Sequence, residues 1–444
     1  MKTRKVLFLI LLLAIIALMV IVGGKMFPKY AGRLIGFGLF LFVDIVSWRI
    51  FRQYSSSCRQ LLKSILNTTY WLPISLFIVF LAASSFLPVQ SWSGFFRIYL
   101  PGSMVVLFLW KFLLILFLLL GELSALPVNA WRIFNAGKRK RKQAWTRFHI
   151  FISMGLLTGS ITALLIFSGF FFWVYDFKVH TIEIKVKDLP DDLDCLRIVQ
   201  LSDIHLGSWL SEKPFLRAVD LVNAQRPDVI LFTGDMVNFV TPEAYPFESA
   251  LRKMKAPLGE FAILGNHDYG DYVQWKTKAE HDQNNADLEK FYMKLGWKLL
   301  KNDHSLIYKG NDSLVILGVE NWSANKMWGR KGDLKKAIAG AEKVKTKILM
   351  SHDPTHWDKE VLPDYPGILL TLSGHTHAMQ LGWEIGKCRW SPSVWLFPRW
   401  GGLYEVKRQG IEQYLNVNRG LGHLGFPGRV GIRPEITLII LKKG

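Results

Sequence analysis

Residues 196–207, LRIVQLSDIHLG, decide how this chain is read. Leu196 to Leu201 form an apolar run of strand length. Asp203 and His205 follow at once, two apart, so one loop can project both towards one cation. Four more motifs repeat the arrangement: Gly234-Asp235, Gly265-Asn266-His267-Asp268, Ser351-His352 and Gly374-His375-Thr376-His377. They fall at the ends of apolar runs at 229–233, 261–264, 347–351 and 368–373, and another such run lies at 314–319. Helical periodicity fits 214–225, 286–296 and 332–344, with Phe215, Val219 and Val222 on one buried face. Strands alternating with helices predict an α/β domain over residues 178–444, with its ligands at the carboxyl ends of the strands, where such folds bind. Late strands at 413–417 and 435–441 have no covering helix, which predicts packed mixed sheets rather than one doubly wound sheet.

The motifs supply a consistent chemistry. The two oxygens of Asp235 can bridge two cations, Asn266 offers a neutral oxygen, and His352, His375 and His377 offer nitrogens from later strand ends. Imidazole with carboxylate suits two divalent ions such as Mn, Fe, Zn or Co better than Ca. Two such ions can generate a hydroxide at neutral pH and clamp the attacking and leaving oxygens of an in-line displacement. His267, beside Asn266, is then left to stabilise developing charge or to protonate the leaving oxygen. Asp268 stands where it can fix the His267 tautomer. A single Asp-x-His is ordinarily a solvated loop; five such motifs in this order are not.

This constellation resembles the calcineurin-like metallophosphoesterase superfamily, in particular its membrane-anchored bacterial branch. The resemblance covers roughly 196–441. It extends to Arg226-Pro227-Asp228, to Ala256-Pro257-Leu258-Gly259, and to Gly420-Leu421-Gly422, Pro427-Gly428-Arg429 and Arg433-Pro434-Glu435-Ile436. It implies a four-layer α/β/β/α sandwich. It also implies one metal held by Asp203, His205, Asp235 and His377, a second by Asp235, Asn266, His352 and His375, and His267 as the catalytic histidine. One departure stands out. The branch usually has two glycines after the last motif histidine, where this chain has Ala378-Met379, followed by Gln380.

The first third of the chain is different. A spanning helix needs about 20 mostly apolar residues, and stretches at 6–22, 34–48, 71–88, 103–126 and 151–175 qualify, the second being short and carrying Asp44. This predicts a multi-span α-helical membrane domain over residues 1–177. Lys and Arg are distributed fourteen to four between the two sides of these stretches, counting the N-terminus and alternate links on the richer side. The richer side is cytoplasmic, which puts the N-terminus inside and, after five spans, the catalytic domain outside a bacterial inner membrane. The first stretch is read as an uncleaved anchor in preference to a signal peptide. The basic run Lys138–Lys142 sits between two spans and reads as a topology determinant, so the formal charge of +20 does not call for a nucleic-acid partner. Asp44, Lys111 and Glu122 lie in or near spans, where a buried Asp44–Lys111 pair is a simpler account than ion transport. Cys58, Cys195 and Cys388 have no metal-type spacing, and free buried thiols are expected over a Cys195–Cys388 bond.

On the substrate side, Arg419, Arg429 and Arg433 are candidates for gripping an anionic group, against an ordinary surface role. Trp383, Trp390, Trp395, Phe397 and Trp400, among Lys387, Arg389 and Arg399, read as a lip over the site that touches lipid, against simple loop packing; Trp209-Leu210 belongs to the same rim. The expected function is hydrolysis of a phosphate ester or pyrophosphate, with a lipid or cell-envelope precursor favoured as the phosphorylated partner. A UDP-2,3-diacylglucosamine pyrophosphatase-like enzyme of lipid A synthesis is one alternative. A membrane sensor or transporter that binds metal or phosphate without turnover is another.

Overall fold

The computed structural model describes Ala14, Ala17, Leu18, Val20, Ile21 and residues 31–87, 92–135, 141–386, 388–408 and 410–444. The chain divides into two compact units, Met1–Ser91 with Ser103–Leu165, and Trp92–Gly102 with Ile166–Gly444.

The first unit is helical, built from α1 (Ala31–Ser55), α2 (Gln60–Phe86) and most of α3 (Gly94–Asn135) and α4 (Arg141–Phe171). Among the described residues three segments are long and apolar enough to cross a membrane: Gln60–Ser84, Gly94–Ser124 and His149–Tyr175. They overlap the third, fourth and fifth expected stretches, the first two of them starting about ten residues earlier than expected. The second expected stretch is helical, inside α1, but is not among the three. The first lies outside the described residues apart from five of its positions. Lys111 Nζ and Asp44 Oδ2 lie 2.9 Å apart, both fully buried. The Tyr70 hydroxyl donates to the Asp44 carbonyl at 2.8 Å, and Lys111 Nζ lies 4.3 Å from the Tyr70 ring centroid. Each charge thus has a partner, as a charge held among apolar helices requires.

The second unit is an α/β/β/α sandwich. Its strands are β1 (Lys178–Val186), β2 (Leu196–Leu201), β3 (Val229–Phe232), β4 (Glu260–Ala262), β5 (Lys298–Leu299), β6 (Asp303–Lys309), β7 (Asp312–Gly318), β8 (Thr346–Met350), β9 (Leu370–Ser373), β10 (Trp383–Ile385), β11 (Cys388–Trp390), β12 (Gly402–Arg408), β13 (Ile411–Val417) and β14 (Glu435–Lys443). One six-stranded sheet runs β1-β14-β2-β3-β4-β5, the other β12-β13-β9-β8-β7-β6, and β10-β11 form a separate hairpin. Period-two alternation explains the layering. Leu196 and Ile198 of β2, with Val229 and Leu231 of β3, face the second sheet, meeting Ile316, Ile348 and Leu372. Val199, Leu201, Ile230 and Phe232 face the other way, onto α5 (Glu212–Ala224) and α6 (Lys278–Leu295). Phe215, Val219 and Val222 of α5 are buried as the periodicity predicts, joined by Ala218. Burial of such side chains stabilises by about 1.5–3 kcal/mol each. Gln200 ties the sheets together from inside, its amide donating to the Ser373 carbonyl at 2.8 Å and its oxygen accepting from Asn416 at 2.7 Å.

The differences from expectation have local causes. α6 begins earlier than the apolar pattern suggests because Thr277 caps it, its hydroxyl accepting the Glu280 N–H at 3.2 Å. The helix expected over 332–344 is only Leu334–Ile338, since Gly340 takes a left-handed backbone and turns the chain. Cys195 and Cys388 are free, as expected, but exposed rather than buried.

A candidate metal centre at the strand ends

The five motifs converge at the carboxyl ends of β2, β3, β8 and β9 and of the loop after β4. Their backbones are unusual. Asp203, His205, Asp235, His375 and His377 all have φ between 47° and 69°, a region that L-residues rarely enter and that tends to mark functional sites. Close packing explains the glycine before His375: a Cβ on Gly374 would run into the Ser202 hydroxyl and the Asp203 carboxylate.

Two groups of ligand atoms, each mutually within 4.8 Å, are buried here: Asp203, His205 and His377, and Asp203, Asp235 and His352. His377 Nε2 is 3.2 Å from Asp203 Oδ1, and His352 Nε2 is 3.2 Å from Asp235 Oδ2. His205 Nε2 is 3.5 Å from Asp235 Oδ2 and 3.1 Å from His377 Nε2. Two imidazole nitrogens facing each other beside two carboxylates call for a shared cation. Asn266 Oδ1 is buried and has no hydrogen-bond partner among the described residues, while the Asn266 amide donates to Tyr272 Oη, in the same loop, at 2.8 Å. His352 Nδ1 bonds to the Thr233 carbonyl at 2.8 Å, which aims Nε2 at Asp235. The donor set therefore fits divalent metal. Burial works against a charged His352 ring, but the Asp235 carboxylate prevails and pushes its pKa up to about 10. Burial likewise opposes the Asp203 charge, and His377 overrides it, holding the carboxyl below the usual range.

His375 sits at the edge of this set. Burial lowers its pKa. Its ring is 5.1 Å from that of His352, is packed by Trp328 and Phe397, and has Nε2 3.6 Å from Asp353 Oδ2. His267 is half-buried, and its Nδ1 lies 2.7 Å from the Asn238 carbonyl, so it donates there, and Nε2 has no hydrogen-bond partner among the described residues. Its ring packs against His205 and Tyr272, with centroids 5.0 and 4.5 Å away.

The similarity to known proteins agrees with this geometry. The calcineurin-like phosphoesterase pattern matches residues 196–379. The metallophosphoesterase YkoQ of Bacillus subtilis, itself uncharacterized, is 30% identical over 271 residues, 59% of this chain and 89% of that one. The chain belongs to the calcineurin-like phosphoesterase family. A transmembrane protein with metallophosphoesterase domain from Danio rerio is 33% identical over 294 residues, 64% of this chain; the match spans 61% of that relative's length. UDP-2,3-diacylglucosamine pyrophosphatase LpxG of Chlamydia trachomatis is 26% identical over 331 residues, 62% of this chain and 93% of that one.

Several expected roles do not match the geometry. Asp268 does not touch the His267 ring. Its carboxylate accepts the backbone N–H groups of Gly265, Asp235 and Met236 at 2.8–2.9 Å, so it clamps the metal loops together, and the Asn238 carbonyl orients His267 instead. Burial and the Asp235 charge push the Asp268 pKa up to about 7. Arg419 and Arg429 are not free for substrate, whereas Arg433 is held through Nε and its Nη1 has no hydrogen-bond partner among the described residues. Arg419 is buried and ion-paired with Glu384 and Glu435. Arg429 is fully buried, donating to the carbonyls of Arg419, Gly420 and Gly422. Arg433 pairs with Asp176 at 2.8 Å and lies over Trp173. In a buried stretch, backbone carbonyls and carboxylates claim guanidinium donors first. Trp209 is buried, donating to the Ile204 carbonyl at 2.8 Å, as are Phe397 and Trp400, whereas Trp383, Trp390 and Trp395 are exposed. Sequence reasoning missed Asp353 and Tyr272. Asp353 directly follows His352 and carried a signal. Asn238 carried none, because it acts through its backbone carbonyl.

Proposed function

We propose that this chain is a membrane-bound, two-metal phosphoesterase that hydrolyses a phosphate ester or pyrophosphate of a lipid or cell-envelope precursor. The observation that carries this is the pair of buried Asp–His groups sharing Asp203, with the half-buried His267 beside them and its Nε2 uncommitted. Asp203, His205, Asp235 and His377 would hold one ion, and Asp235, Asn266, His352 and His375 the other; Mn, Fe, Zn and Co all suit the set. The bound ions supply Lewis acidity and charge neutralisation at the phosphoryl group. His267 faces the substrate, donates to the developing oxyanion or passes a proton to the leaving oxygen, and keeps its tautomer through Asn238. Residues 1–177 form the membrane domain and 178–444 the catalytic domain, with the N-terminus cytoplasmic and the catalytic domain outside a bacterial inner membrane. The similarity to LpxG favours a second reading, pyrophosphate cleavage in a UDP-2,3-diacylglucosamine-like substrate.

Full-length protein purified in detergent with Mn²⁺ is the material for the test. It is assayed on p-nitrophenyl phosphate, bis(p-nitrophenyl) phosphate, phospholipids and UDP-2,3-diacylglucosamine, with Asp235→Ala as control. Metal-dependent release that disappears in the variant supports the enzyme, and the preferred compound names the class. Stoichiometric metal binding without turnover on any compound would leave a sensor or transporter as the better account.

A further inference from the structure

The second unit contains the ends of two candidate membrane spans, Trp92–Gly102 and Ile166–Tyr175. Sheet register fixes which end of the sandwich they meet. β1 starts at Lys178, three residues after Tyr175, and runs parallel to β14 with His180 opposite Thr437. Thr437 lies opposite Gln200 in antiparallel β2. Gln200 is therefore level with the start of β1, and Asp203 lies three residues further towards the helix ends. The metal-binding end of the sheets and the end carrying the span termini are the same end.

Side-chain contacts agree. The Tyr175 and Phe177 rings lie 5.8 and 6.0 Å from that of Trp209, which holds the Ile204 carbonyl between Asp203 and His205. Gly169 is packed so closely on the Arg429 backbone that a Cβ would strike its carbonyl, and Gly102 is packed likewise on Pro427. The Phe170 and Phe426 rings are 5.8 Å apart. The stretch seated on the helix ends, Phe426–Val430, is in turn stitched to the chain just after His377. Val430 N–H donates to the Gln380 carbonyl at 2.8 Å, Gly382 N–H to the Val430 carbonyl at 2.9 Å, and the Gln380 amide to the Phe426 and Gly428 carbonyls.

From that seat springs the β10-β11 hairpin, followed by residues 391–400, and its apolar side chains face solvent. Ile385 is 74%, Trp395 76% and Leu396 60% exposed, with Trp383 also outward. The next residue, Phe397, turns inward to within 5.3 Å of the His375 ring. One short segment thus places apolar groups outside and a wall of the metal site inside. Clustered exposed apolar groups mark interaction surfaces, and tryptophans at a bilayer boundary favour its headgroup layer.

We infer that this aromatic hairpin and the following loop dock into the surface of the same membrane that the span termini enter, forming a lipid-facing lip on the active site. The inference rests on the membrane-bound reading above. It narrows the substrate class to amphiphiles whose phosphate lies at headgroup depth while their acyl chains remain in the bilayer.

The test reads position, not activity, so it stands apart from the fate of the hydrolase proposal. Cys58, Cys195 and Cys388 are changed to serine in the full-length chain. Single cysteines are then introduced as Ile385→Cys, Trp395→Cys and Tyr308→Cys, and labelled with an environment-sensitive fluorophore. Tyr308 is exposed and lies three residues before Asn311, whose N–H donates to the Asp192 carboxylate beyond the far end of β1, about 30 Å along nine residues of strand from Lys178. The proteins are reconstituted in vesicles of phosphatidylethanolamine and phosphatidylglycerol carrying nitroxide-labelled lipid. The expected result is a blue-shifted emission and several-fold stronger quenching at 385 and 395 than at 308. Solvent-like emission at either position, with quenching no greater than at 308, overturns the inference.

Discussion

Replacing Arg429 distinguishes a structural guanidinium from a substrate-binding one. Its head group is fully buried and donates to the carbonyls of Arg419, Gly420 and Gly422 at about 3 Å, with Arg433 more distant at 3.4 Å. Burial has already pushed its pKa down to about 9. Arg429→Leu keeps part of the volume and leaves the buried Arg419 and Gly422 carbonyls without donors, each costing about 1–3 kcal/mol, while the Gly420 carbonyl keeps the Glu435 N–H at 3.0 Å. Relief of the guanidinium's own desolvation offsets some of this, so the net loss should be on the order of 3 kcal/mol. For a unit of this size that lowers Tm by roughly 10 °C. The same loop bonds to the Ser202 and Asp203 carbonyls through the Leu421 and Gly422 N–H groups, so activity should fall with stability. The assay is thermal unfolding of the detergent-purified protein, followed by intrinsic fluorescence, with kcat and KM for p-nitrophenyl phosphate beside it. Arg433→Ala, which removes one half-exposed pair worth at most about 1 kcal/mol, is the control. An Arg429→Leu protein with unchanged Tm and a raised KM would refute the structural role and restore the substrate-binding one.

Other perturbations separate roles in the same way. His267→Ala should lower kcat by about 10²–10⁴-fold while metal content by elemental analysis stays at the parent value; Asp268→Ala should instead lower Tm and metal content together, because four buried N–H groups lose their acceptor. At Glu435, burial opposes the charge but the Arg419 guanidinium prevails and holds the pKa below the usual glutamate range. Its stabilising contribution is therefore complete above about pH 4.3 and lost as pH falls through the lower folded value. Glu435→Gln should be less stable than the parent at pH 7, with the gap in denaturation midpoint closing in acid; a constant gap would exclude the charge as its source. Ala378 and Met379 have φ of 49° and 48°. Glycine at each should relieve about 1–2 kcal/mol of left-handed strain, offset by about 0.5–1 kcal/mol of extra chain entropy, so a small rise in Tm is expected and a fall would count against strain there.

The sequence carried the sandwich well because its strands are buried on both faces and end in recognisable motifs: Leu196–Leu201 followed by Asp203 is legible without a structure. The buried carboxylate and imidazole groups at those strand ends were legible for the same reason. What was not legible depends on partners distant in sequence. Arg429 reads as a ligand-binding residue until its carbonyl partners are known, and Asp268 reads as a tautomer clamp until its four backbone donors are seen. Alternation was too weak to find β6 or the β10-β11 hairpin, whose exposed faces have no core to impose a period. The departure at Ala378-Met379 was visible, but not its backbone meaning.

The second unit is assembled from two separated pieces of chain, with residues 103–165 lying between them in sequence. Synthesis proceeds from the N-terminus, so Trp92–Gly102 emerges first and must wait through two helical segments before Ile166 and then the strands appear. Gly102 and the Pro427 it packs against therefore meet only after that intervening stretch and nearly all of the sandwich have been made. If those helices insert into a membrane as proposed above, the metal site is completed only behind that insertion, and a chain stalled there would carry an unfinished site rather than an active one in the wrong place.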